Sequence, residues 1–365
     1  RRHTRLGRWS RGLGDVYKRQ LQALAAAASQ TGSPADLEAL AELGEALWRA
    51  AVRGVQSGER FDDRALYWAR LELMAKYRSQ GVDAETLAVL ERASRGMTDA
   101  AFSVEGTAGD GPIRVLVTGF DPFHLDRQIR QSNPSGLAAL ALDGRILETA
   151  AGPAEVQAAM FPVRFADFDD GLVEAFIEPH LSRGVDMVIT ISMGREGFDL
   201  ERFPGRRRSS AVVDNLNVLT GANSENPLVP TLDGTELGGP EFLEFTLPAA
   251  AMMAVGGEFP IRDNRNVATL ERGDLEAESL QALAGQTAVR GSGGGYLSNE
   301  IAYRTLLANE RVLGAANRVP MGHIHTPRLE GFDPEFERKV AAQIEAMVIA
   351  AAGALSKPGA DRTVR

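Results

Sequence analysis

Apolar residues recur at helical spacing early in the chain, after a Ser-Pro pair. Ser33 and Pro34 are typical of a helix N-cap followed by the first helical position, which places Asp36 in the first turn. The apolar positions that follow lie three or four residues apart: Leu37, Leu40, Leu43, Leu47 and Ala51. This spacing predicts an amphipathic helix with one buried face.

Two further helices are predicted before residue 100. One runs from about Asp62 to Arg78, and the next runs from Asp83 to about Ser94, ahead of Gly96 as its C-cap. The glycine-rich stretch 106–112 is typical of a linker. Residues 21–105 are therefore predicted to form an all-helical region that precedes a separate domain.

The pattern changes at Ile113 to alternating strands and helices. Strands are predicted in six segments: 113–118, 157–165, 185–191, 244–249, 287–290 and 319–325. Helices are predicted between or after them: 134–143, 168–182, 296–309 and a last one from Asp333. Such alternation predicts a mostly parallel or mixed sheet with helices on both faces. The α/β domain is placed at 113–356, with a tail at 357–365.

Charge is distributed unevenly along the chain. The net charge is −9, but residues 1–20 contain seven Lys or Arg and one Asp, so the rest carries −15. An acidic protein surface binds nucleic acid poorly. The chain contains no run of eighteen apolar residues, so no membrane-spanning helix is predicted. The basic lead is interpreted as disordered or non-native sequence, with a nucleic-acid or membrane arm as the alternative. Without a recognisable signal, the cytoplasm is the default location, and export stays open as the alternative because the native N-terminus is not identified.

Three polar or glycine-rich segments have plain structural interpretations. The stretch 255–285 is hard to assign and is interpreted as an inserted surface loop. The arginines at 206–208 fit a solvated or salt-bridged loop better than an anion site in an acidic protein. The glycines at 291–295 lack the Lys-Ser/Thr of a phosphate-binding loop and the spacing of a dinucleotide fingerprint.

Candidate chemistry is limited by the absence of cysteine, which excludes a thiolate metal site and a cysteine nucleophile. His323 and His325 lie two apart at the end of a predicted strand and so share a face. Two roles are compatible with this spacing. One is metal ligation, although the sequence has no nearby carboxylate cluster to complete a metal site. The other is general-base catalysis by one imidazole. A structural histidine is the default for either residue alone.

Ser298 follows the glycine-rich turn at the start of a predicted helix. A nucleophile there gains from the backbone N–H groups and from the helix dipole, whereas the plain alternative is a helix cap. Glu201, taken alone, is a carboxylate in a polar loop.

Seven short motifs in order resemble the pyroglutamyl peptidase I family, whose members are cysteine peptidases with a Cys-His-Glu triad. They are V-L-V-T-G-F-D-P-F at 115–123, N-P-S at 133–135, G-R at 194–195 with E-R at 201–202, D-N at 214–215, T-L-P at 246–248, G-x-Y-x-S-N at 294–299 and I-H-T-P at 324–327. The resemblance covers 113–354. It implies a three-layer α/β/α domain with the triad at one edge of the sheet.

The resemblance also implies roles for particular residues. Ser298 stands where the family has its nucleophilic cysteine, His325 at the general base, and Glu201 at the acid that orients the base. Phe120 and Phe123 match aromatic residues that wall the substrate pocket.

Further residues are implied to contact substrate: Ile191, Arg195, Gly294 and Gly295. Ile191 replaces a pocket glutamine of the family and cannot bond a lactam amide, so a preference for pyroglutamyl groups is not expected. Backbone N–H groups at 295–298 are candidate oxyanion donors.

Three functions follow as hypotheses. The first is a hydrolase that cleaves a peptide or small amide through Ser298, His325 and Glu201, without cofactor or metal. The second is a non-catalytic relative that binds peptides or acts as a scaffold. The third is an assembly protein whose helical region carries the function. A homo-oligomer is compatible with all three, and neither nucleic acid nor a membrane is expected as a partner.

Overall fold

The computed structural model describes residues 36–98, 102 and 111–355. The basic lead, Ser33, Pro34, most of the expected linker and the C-terminal tail lie outside these residues. The chain divides into two compact units, Arg1–Ala100 and Ala101–Arg365. No helix of the described part is long and apolar enough to cross a membrane.

The first unit contains the three predicted helices: α1 (Leu37–Gln56), α2 (Arg64–Ser79) and α3 (Ala84–Ala93). Asp36 was expected in the first turn of α1, but it is the N-cap, and its carboxylate accepts from the amides of Glu38 and Ala39. Leu40, Leu43 and Leu47 of the predicted apolar face are buried, whereas Leu37 at the start of the helix is 54% exposed and Ala51 is half-buried.

The second unit is built on a seven-stranded mixed sheet. Its strands are β1 (Ile113–Phe120), β2 (Ile146–Thr149), β3 (Gly152–Phe161), β4 (Met187–Met193), β5 (Phe198–Glu201), β8 (Ile261–Asn264) and β12 (Met321–Thr326). Their order across the sheet is β2-β3-β1-β4-β12-β5-β8. The four central strands are parallel, whereas β2 and β5 run antiparallel to the neighbours β3 and β12.

Helices cover both faces of this sheet, which gives the predicted three layers of helix, sheet and helix. They are α4 (Pro134–Leu142), α5 (Phe165–Asp169), α6 (Leu172–Ser182), α7 (Ala249–Met253), α8 (Leu297–Leu313) and α9 (Pro334–Gly353). α6 packs against α8, and α4 packs against α9. Nearly every residue of β1 and β4 is buried, as expected of strands covered on both faces. The prediction of an α/β domain with a mixed sheet, preceded by a helical region, is confirmed.

Several predicted elements differ from those observed. The segment 244–249 is not a strand, because Phe245 packs as a loop residue against Gly322 of β12 and α7 begins at Ala249. The segment 255–285 was expected to be a surface loop. It instead contains the edge strand β8 and two strands of a small antiparallel sheet, β9 (Asn266–Thr269) and β10 (Gly273–Glu276).

The small sheet is completed by β11 (Ala288–Arg290), in the order β10-β9-β11. A short two-stranded ribbon, β6 (Thr231–Leu232) and β7 (Thr235–Glu236), lies between β5 and α7 in the chain. The predicted strand 157–165 also shifts to Gly152–Phe161, since α5 starts at Phe165.

Candidate active site

The best-defined feature of the site is a buried histidine–carboxylate pair. His325 lies on β12 and Glu201 ends the adjacent antiparallel strand β5. The Nδ1 atom of His325 is 2.5 Å from Oε1 of Glu201. The glutamate side chain is 1% exposed and the imidazole 12%. The pairing of two strands therefore holds an accessible imidazole against a buried acid.

Asn264 binds the second oxygen of Glu201. Its Nδ2 atom, on the edge strand β8, donates to Oε2 of Glu201 at 2.8 Å and to the carbonyl oxygen of Ser292 at 3.0 Å. Burial raises the pKa of Glu201, although the adjacent His325 opposes part of this shift. Hydrogen bonds from His325, Asn264 and Ser292 thus support the negative charge of the glutamate. Sequence reasoning missed Asn264, because a single asparagine in an unassigned polar segment carries no signal.

Gly194 allows the backbone to pass close to the imidazole. A Cβ atom at this position would lie 2.5 Å from Cβ of His325 and 2.9 Å from the carbonyl oxygen of Thr326. The next residue, Arg195, is exposed and lines a polar cavity of about 600 Å³ that Asn264 also lines. Gly194 therefore supports the imidazole through close packing. Arg195 lines this polar cavity and does not line the cavity beside Ser298.

Ser298 is the second residue of α8, beyond the glycine-rich turn. Gly294 has a φ of +91°, which favours glycine, and Tyr296 is the N-cap of the helix. Ser298 was weighed as a cap, and the structure contradicts that alternative. Its Oγ atom donates to the carbonyl oxygen of Gly293 at 3.2 Å. Within the described ranges, no hydrogen bond joins Ser298 to His325.

Asn299 attaches the start of α8 to the segment that follows Glu201. Its side chain accepts from the amide of Gly205 at 2.9 Å and donates to the carbonyl oxygen of the same glycine at 2.7 Å. These bonds, together with the Asn264 bond to Ser292, connect the serine side of the site to the acid side.

A cavity of about 100 Å³ lies beside Ser298. Its walls contain nine residues: Phe120, Phe123, Asn133, Val163, Ser192, Met193, Tyr296, Leu297 and Ser298. The structure thus brings Phe120, Phe123 and Ser298 together. Ile191 does not line this cavity, because it is fully buried on β4 and alternates to the opposite face from Ser192. Gly294 and Gly295 form the turn before the helix.

His323 is a buried structural residue. Its Nδ1 atom is 2.8 Å from Oγ1 of Thr190 and its Nε2 atom is 2.7 Å from Oγ of Ser192. Its ring lies perpendicular to that of His325, with centroids 4.9 Å apart. Both nitrogens are therefore occupied, and the part of the chain that the structure describes holds no cluster of three or more ligating side chains suited to a metal ion.

The arginines at 206–208 are salt-bridged, as predicted. Arg207 pairs with Glu241 at 2.9 Å, and Arg208 pairs with Glu300 at 2.6 Å. Glu300 lies in the first turn of α8, so the second pair fixes the helix that carries Ser298.

These features define an α/β domain with a histidine–carboxylate pair on adjacent strands of a mixed sheet and a serine at the N-terminus of α8. The chain belongs to the PA0049 family. Residues 114–253 and 263–330 match the model of the PA0049 C-terminal domain, and residues 10–93 match that of the PA0049 N-terminal domain.

A relative from Pseudomonas aeruginosa, the uncharacterized protein PA0049, is 35% identical over 219 residues. The match covers 52% of this chain and 40% of the relative, so the chain spans less than half the length of that curated protein.

Solved structures of pyroglutamyl peptidases are similar to the α/β part. A mutant pyrrolidone carboxyl peptidase from Pyrococcus furiosus is 20% identical, with a TM-score of 0.43, over 67% of this chain and 100% of that one. Pyroglutamyl peptidase I from Bacillus amyloliquefaciens is 19% identical, with a TM-score of 0.42, over 68% and 99%.

Proposed function

We propose that this protein is a hydrolase that cleaves an amide, at the N-terminus of a peptide or in a small molecule, through an acyl-enzyme on Ser298. His325 acts as the general base and Glu201 orients and stabilises the imidazole. The observation that carries the proposal is the bond between Nδ1 of His325 and the buried Glu201. This bond leaves Nε2 as the proton acceptor, which is the tautomer a general base needs.

The steps follow from these groups. His325 removes the proton of Ser298 as Oγ attacks the carbonyl carbon, and the negative charge develops on the carbonyl oxygen. Backbone N–H groups at the start of α8 are the donors proposed for that oxygen. His325 then protonates the leaving amine. Water, activated in the same way, releases the acid and restores the serine hydroxyl.

The Ser298 hydroxyl must rotate before it can react. It donates to Gly293 in the present structure, so attack requires breaking one part-buried hydrogen bond at 3.2 Å. Such a bond contributes about 0.5–1.5 kcal/mol, which is small beside the barriers that hydrolases lower.

A fluorophosphonate probe tests the proposal directly. We expect covalent labelling at Ser298 in the full chain and loss of labelling in Ser298→Ala. Ser182, an exposed serine that donates to a backbone carbonyl four residues earlier, provides the matched control Ser182→Ala, which should label normally. Absence of labelling in a folded protein would contradict catalysis by Ser298.

A non-catalytic peptide-binding role is the second candidate. It is favoured by the bond that engages Ser298 with Gly293 instead of His325. Ser298→Cys separates the two functions. A working serine predicts no gain in hydrolysis from the cysteine, whereas a large gain would show that the scaffold still suits sulfur. Inactivity of wild type, Ser298→Ala and Ser298→Cys across peptides and esters would favour the binding role.

The proposed hydrolase is expected to be a poor pyroglutamyl peptidase. Ile191, at the position where the resemblance places the pocket glutamine, is fully buried outside the cavity and supplies no hydrogen bond to a ligand there. A site that lacks such a polar contact loses up to about 10⁴-fold in discrimination. Turnover of a pyroglutamyl-coumarin amide would measure this. A rate similar to that of cysteine-containing family members would contradict the expectation.

A further inference from the structure

A row of polar side chains crosses one face of the sheet through the candidate base. In the strand register, His325 of β12 lies opposite Ser192 of β4 on one side and opposite Asp199 of β5 on the other. Asp199 in turn lies opposite Arg262 of β8. Because residues at paired positions point to the same face of a sheet, these four side chains form one row, with His325 between the serine and the aspartate.

The two ends of this row belong to different cavities. Ser192 lines the cavity of about 100 Å³ beside Ser298, whereas Asp199 and Arg262 line the polar cavity of about 600 Å³. His325 therefore lies between the two cavities. The larger volume is within the range of ligand sites, roughly 300–1,000 Å³, so this cavity has room for a whole amino acid.

The chemistry proposed for His325 divides a substrate between these cavities. When the amide C–N bond breaks, the acyl carbon stays on Oγ of Ser298 and the imidazole gives its proton to the leaving nitrogen. That nitrogen must then lie within hydrogen-bond reach of the imidazole, about 2.6–3.2 Å. The acyl group thus belongs to the cavity that Ser298 lines, and the group on the nitrogen extends past His325 into the polar cavity.

The polar cavity is lined by charged and amide side chains. Its nine residues are three arginines, four acidic residues and two asparagines. An apolar leaving group would cover these groups without replacing the hydrogen bonds that water makes with them, which is unfavourable. The composition of the walls therefore favours a polar leaving group.

Most charges of this cavity already have partners. Nε of Arg262 donates to Oδ1 of Asp199 at 2.9 Å. Asp263 accepts from Arg202 at 2.8 Å and from Arg265 at 2.9 Å. These pairs neutralise the carboxylates on β5 and β8, so they build the walls and leave recognition of charge to other residues.

Arg195 differs from the other arginines of the cavity. Arg290 pairs with Asp274 at 2.9 Å, but the exposed guanidinium of Arg195 forms no ion pair or hydrogen bond with another described residue. Arg195 directly follows Gly194, where a Cβ atom would lie 2.5 Å from Cβ of His325. An unpaired cation is thus attached to the backbone that passes beside the base.

A guanidinium at this position suits the carboxylate of a leaving amino acid. In an N-acyl amino acid the carboxylate carbon is two bonds from the scissile nitrogen, so it stays near the base whatever the side chain is. Guanidinium binds carboxylate through two parallel N–H···O bonds. Glu196 and Glu276 also line the cavity as exposed carboxylates without an ion pair to the described part of the chain, and they would repel a second negative charge.

We propose that the polar cavity is the leaving-group subsite and that Arg195 binds the free α-carboxylate of a leaving amino acid. The inference rests on the proposed function, because that function places the leaving nitrogen at His325. The substrate class is an N-acyl amino acid with a compact acyl group and a neutral or basic side chain. Its hydrolysis consumes one water and yields a carboxylic acid and the free amino acid.

Binding of two matched ligands tests this assignment without turnover. The full chain carrying Ser298→Ala is titrated with N-acetyl-L-glutamine and with its C-terminal carboxamide, and dissociation constants are measured by ligand-observed NMR. The carboxylate should bind about 3- to 10-fold more tightly, the range for a solvent-accessible charge-assisted pair. Arg195→Gln in the same background should remove this preference and barely change binding of the carboxamide.

Two control variants and a third ligand sharpen the test. Arg195→Lys retains the positive charge and should keep part of the preference. Arg272→Gln removes an exposed arginine outside the cavity and should leave the preference unchanged. N-acetyl-L-glutamate carries a second carboxylate and should bind more weakly than N-acetyl-L-glutamine, and equal or tighter binding would contradict the stated substrate class.

The outcomes separate this inference from the proposed hydrolase. Equal binding of carboxylate and carboxamide, failure of both to bind, or a preference that survives Arg195→Gln would overturn the subsite even if fluorophosphonate labels Ser298 in the wild type. A carboxylate preference that depends on Arg195, without labelling of Ser298, would support carboxylate recognition in the polar cavity and contradict the hydrolase.

Discussion

The two sides of the candidate site are assembled in different ways. On the sheet side, His325 and Glu201 lie on adjacent strands, and Asn264 from a third strand completes the bonds of the carboxylate. On the helix side, Ser298 follows a glycine turn, and its hydroxyl bonds to the backbone of that turn. Strand register fixes the imidazole and the carboxylate in place, whereas the Ser298 hydroxyl is held only by its own turn.

This difference shows which hydrogen bonds of the candidate site the folded state requires. A buried carboxylate must have partners, so the sheet side is determined by hydrogen bonds that the fold cannot omit. A partly exposed hydroxyl can exchange one acceptor for another at little cost. The Ser298 hydroxyl can therefore change its acceptor without disturbing the bonds on the sheet side.

The largest expected effect is a loss of hydrolysis when either side of the candidate site is changed. His325→Ala and Glu201→Gln should each lower kcat/KM about 10²- to 10⁴-fold on the best substrate of an amide and ester panel. If serine and histidine act as a unit, Ser298→Ala/His325→Ala should be no slower than either single variant. Additive losses would show that the two sides work independently.

Gly194→Ala should disturb the sheet side through packing. The new Cβ would meet Cβ of His325 at 2.5 Å and backbone at 2.9 Å, so unfolding free energy should fall about 1–3 kcal/mol. Urea denaturation measures this loss, and hydrolysis should fall as well. The control Gly256→Ala places its Cβ in open space and should stay within about 0.5 kcal/mol of wild type.

Asn264→Ala should test the hydrogen bonds that join the two sides of the candidate site. It leaves Oε2 of Glu201 and the carbonyl oxygen of Ser292 without this donor, at a cost of about 1–3 kcal/mol. Urea denaturation again provides the measurement, with exposed Asn317→Ala as the matched control. Equal effects of the two substitutions would contradict a supporting role for Asn264.

The smallest effect concerns the pH dependence of stability. Burial lowers the folded-state pKa of His323 well below 6.5, so only the unfolded state gains this proton as the pH falls below about 6.5. Stability should therefore decrease with acidification by up to about 1.4 kcal/mol per pH unit, and His323→Gln should remove that slope.

Glu201 has the opposite effect on stability. Because its pKa is raised in the folded state, the free energy of unfolding falls as the pH rises above the ordinary pKa of a glutamate. This contribution is present in both proteins and largely cancels in the difference between them. Parallel curves of unfolding free energy against pH for wild type and His323→Gln would contradict the assignment to His323.

Local sequence patterns were sufficient to predict the long helices and the central strands. The amphipathic spacing from Leu37 to Leu47 predicted α1, and the alternation of β-branched runs and helical segments predicted a mixed sheet covered on both faces. These predictions succeed because long helices and central strands carry repeated burial signals within one segment. The motifs around Glu201, Ser298 and His325 also located the candidate residues in the chain.

The tertiary structure decided how those residues meet. β5 and β8 have four residues each, too few to show a period, and they are stabilised by neighbours distant in the chain. They nevertheless position Glu201 and Asn264. The same holds for His323, whose two hydroxyl partners lie on β4, more than 130 residues away. Sequence alone thus determined the elements and the candidate groups, while long-range strand pairing determined their bonds, because hydrogen-bond partners across a sheet leave no local pattern.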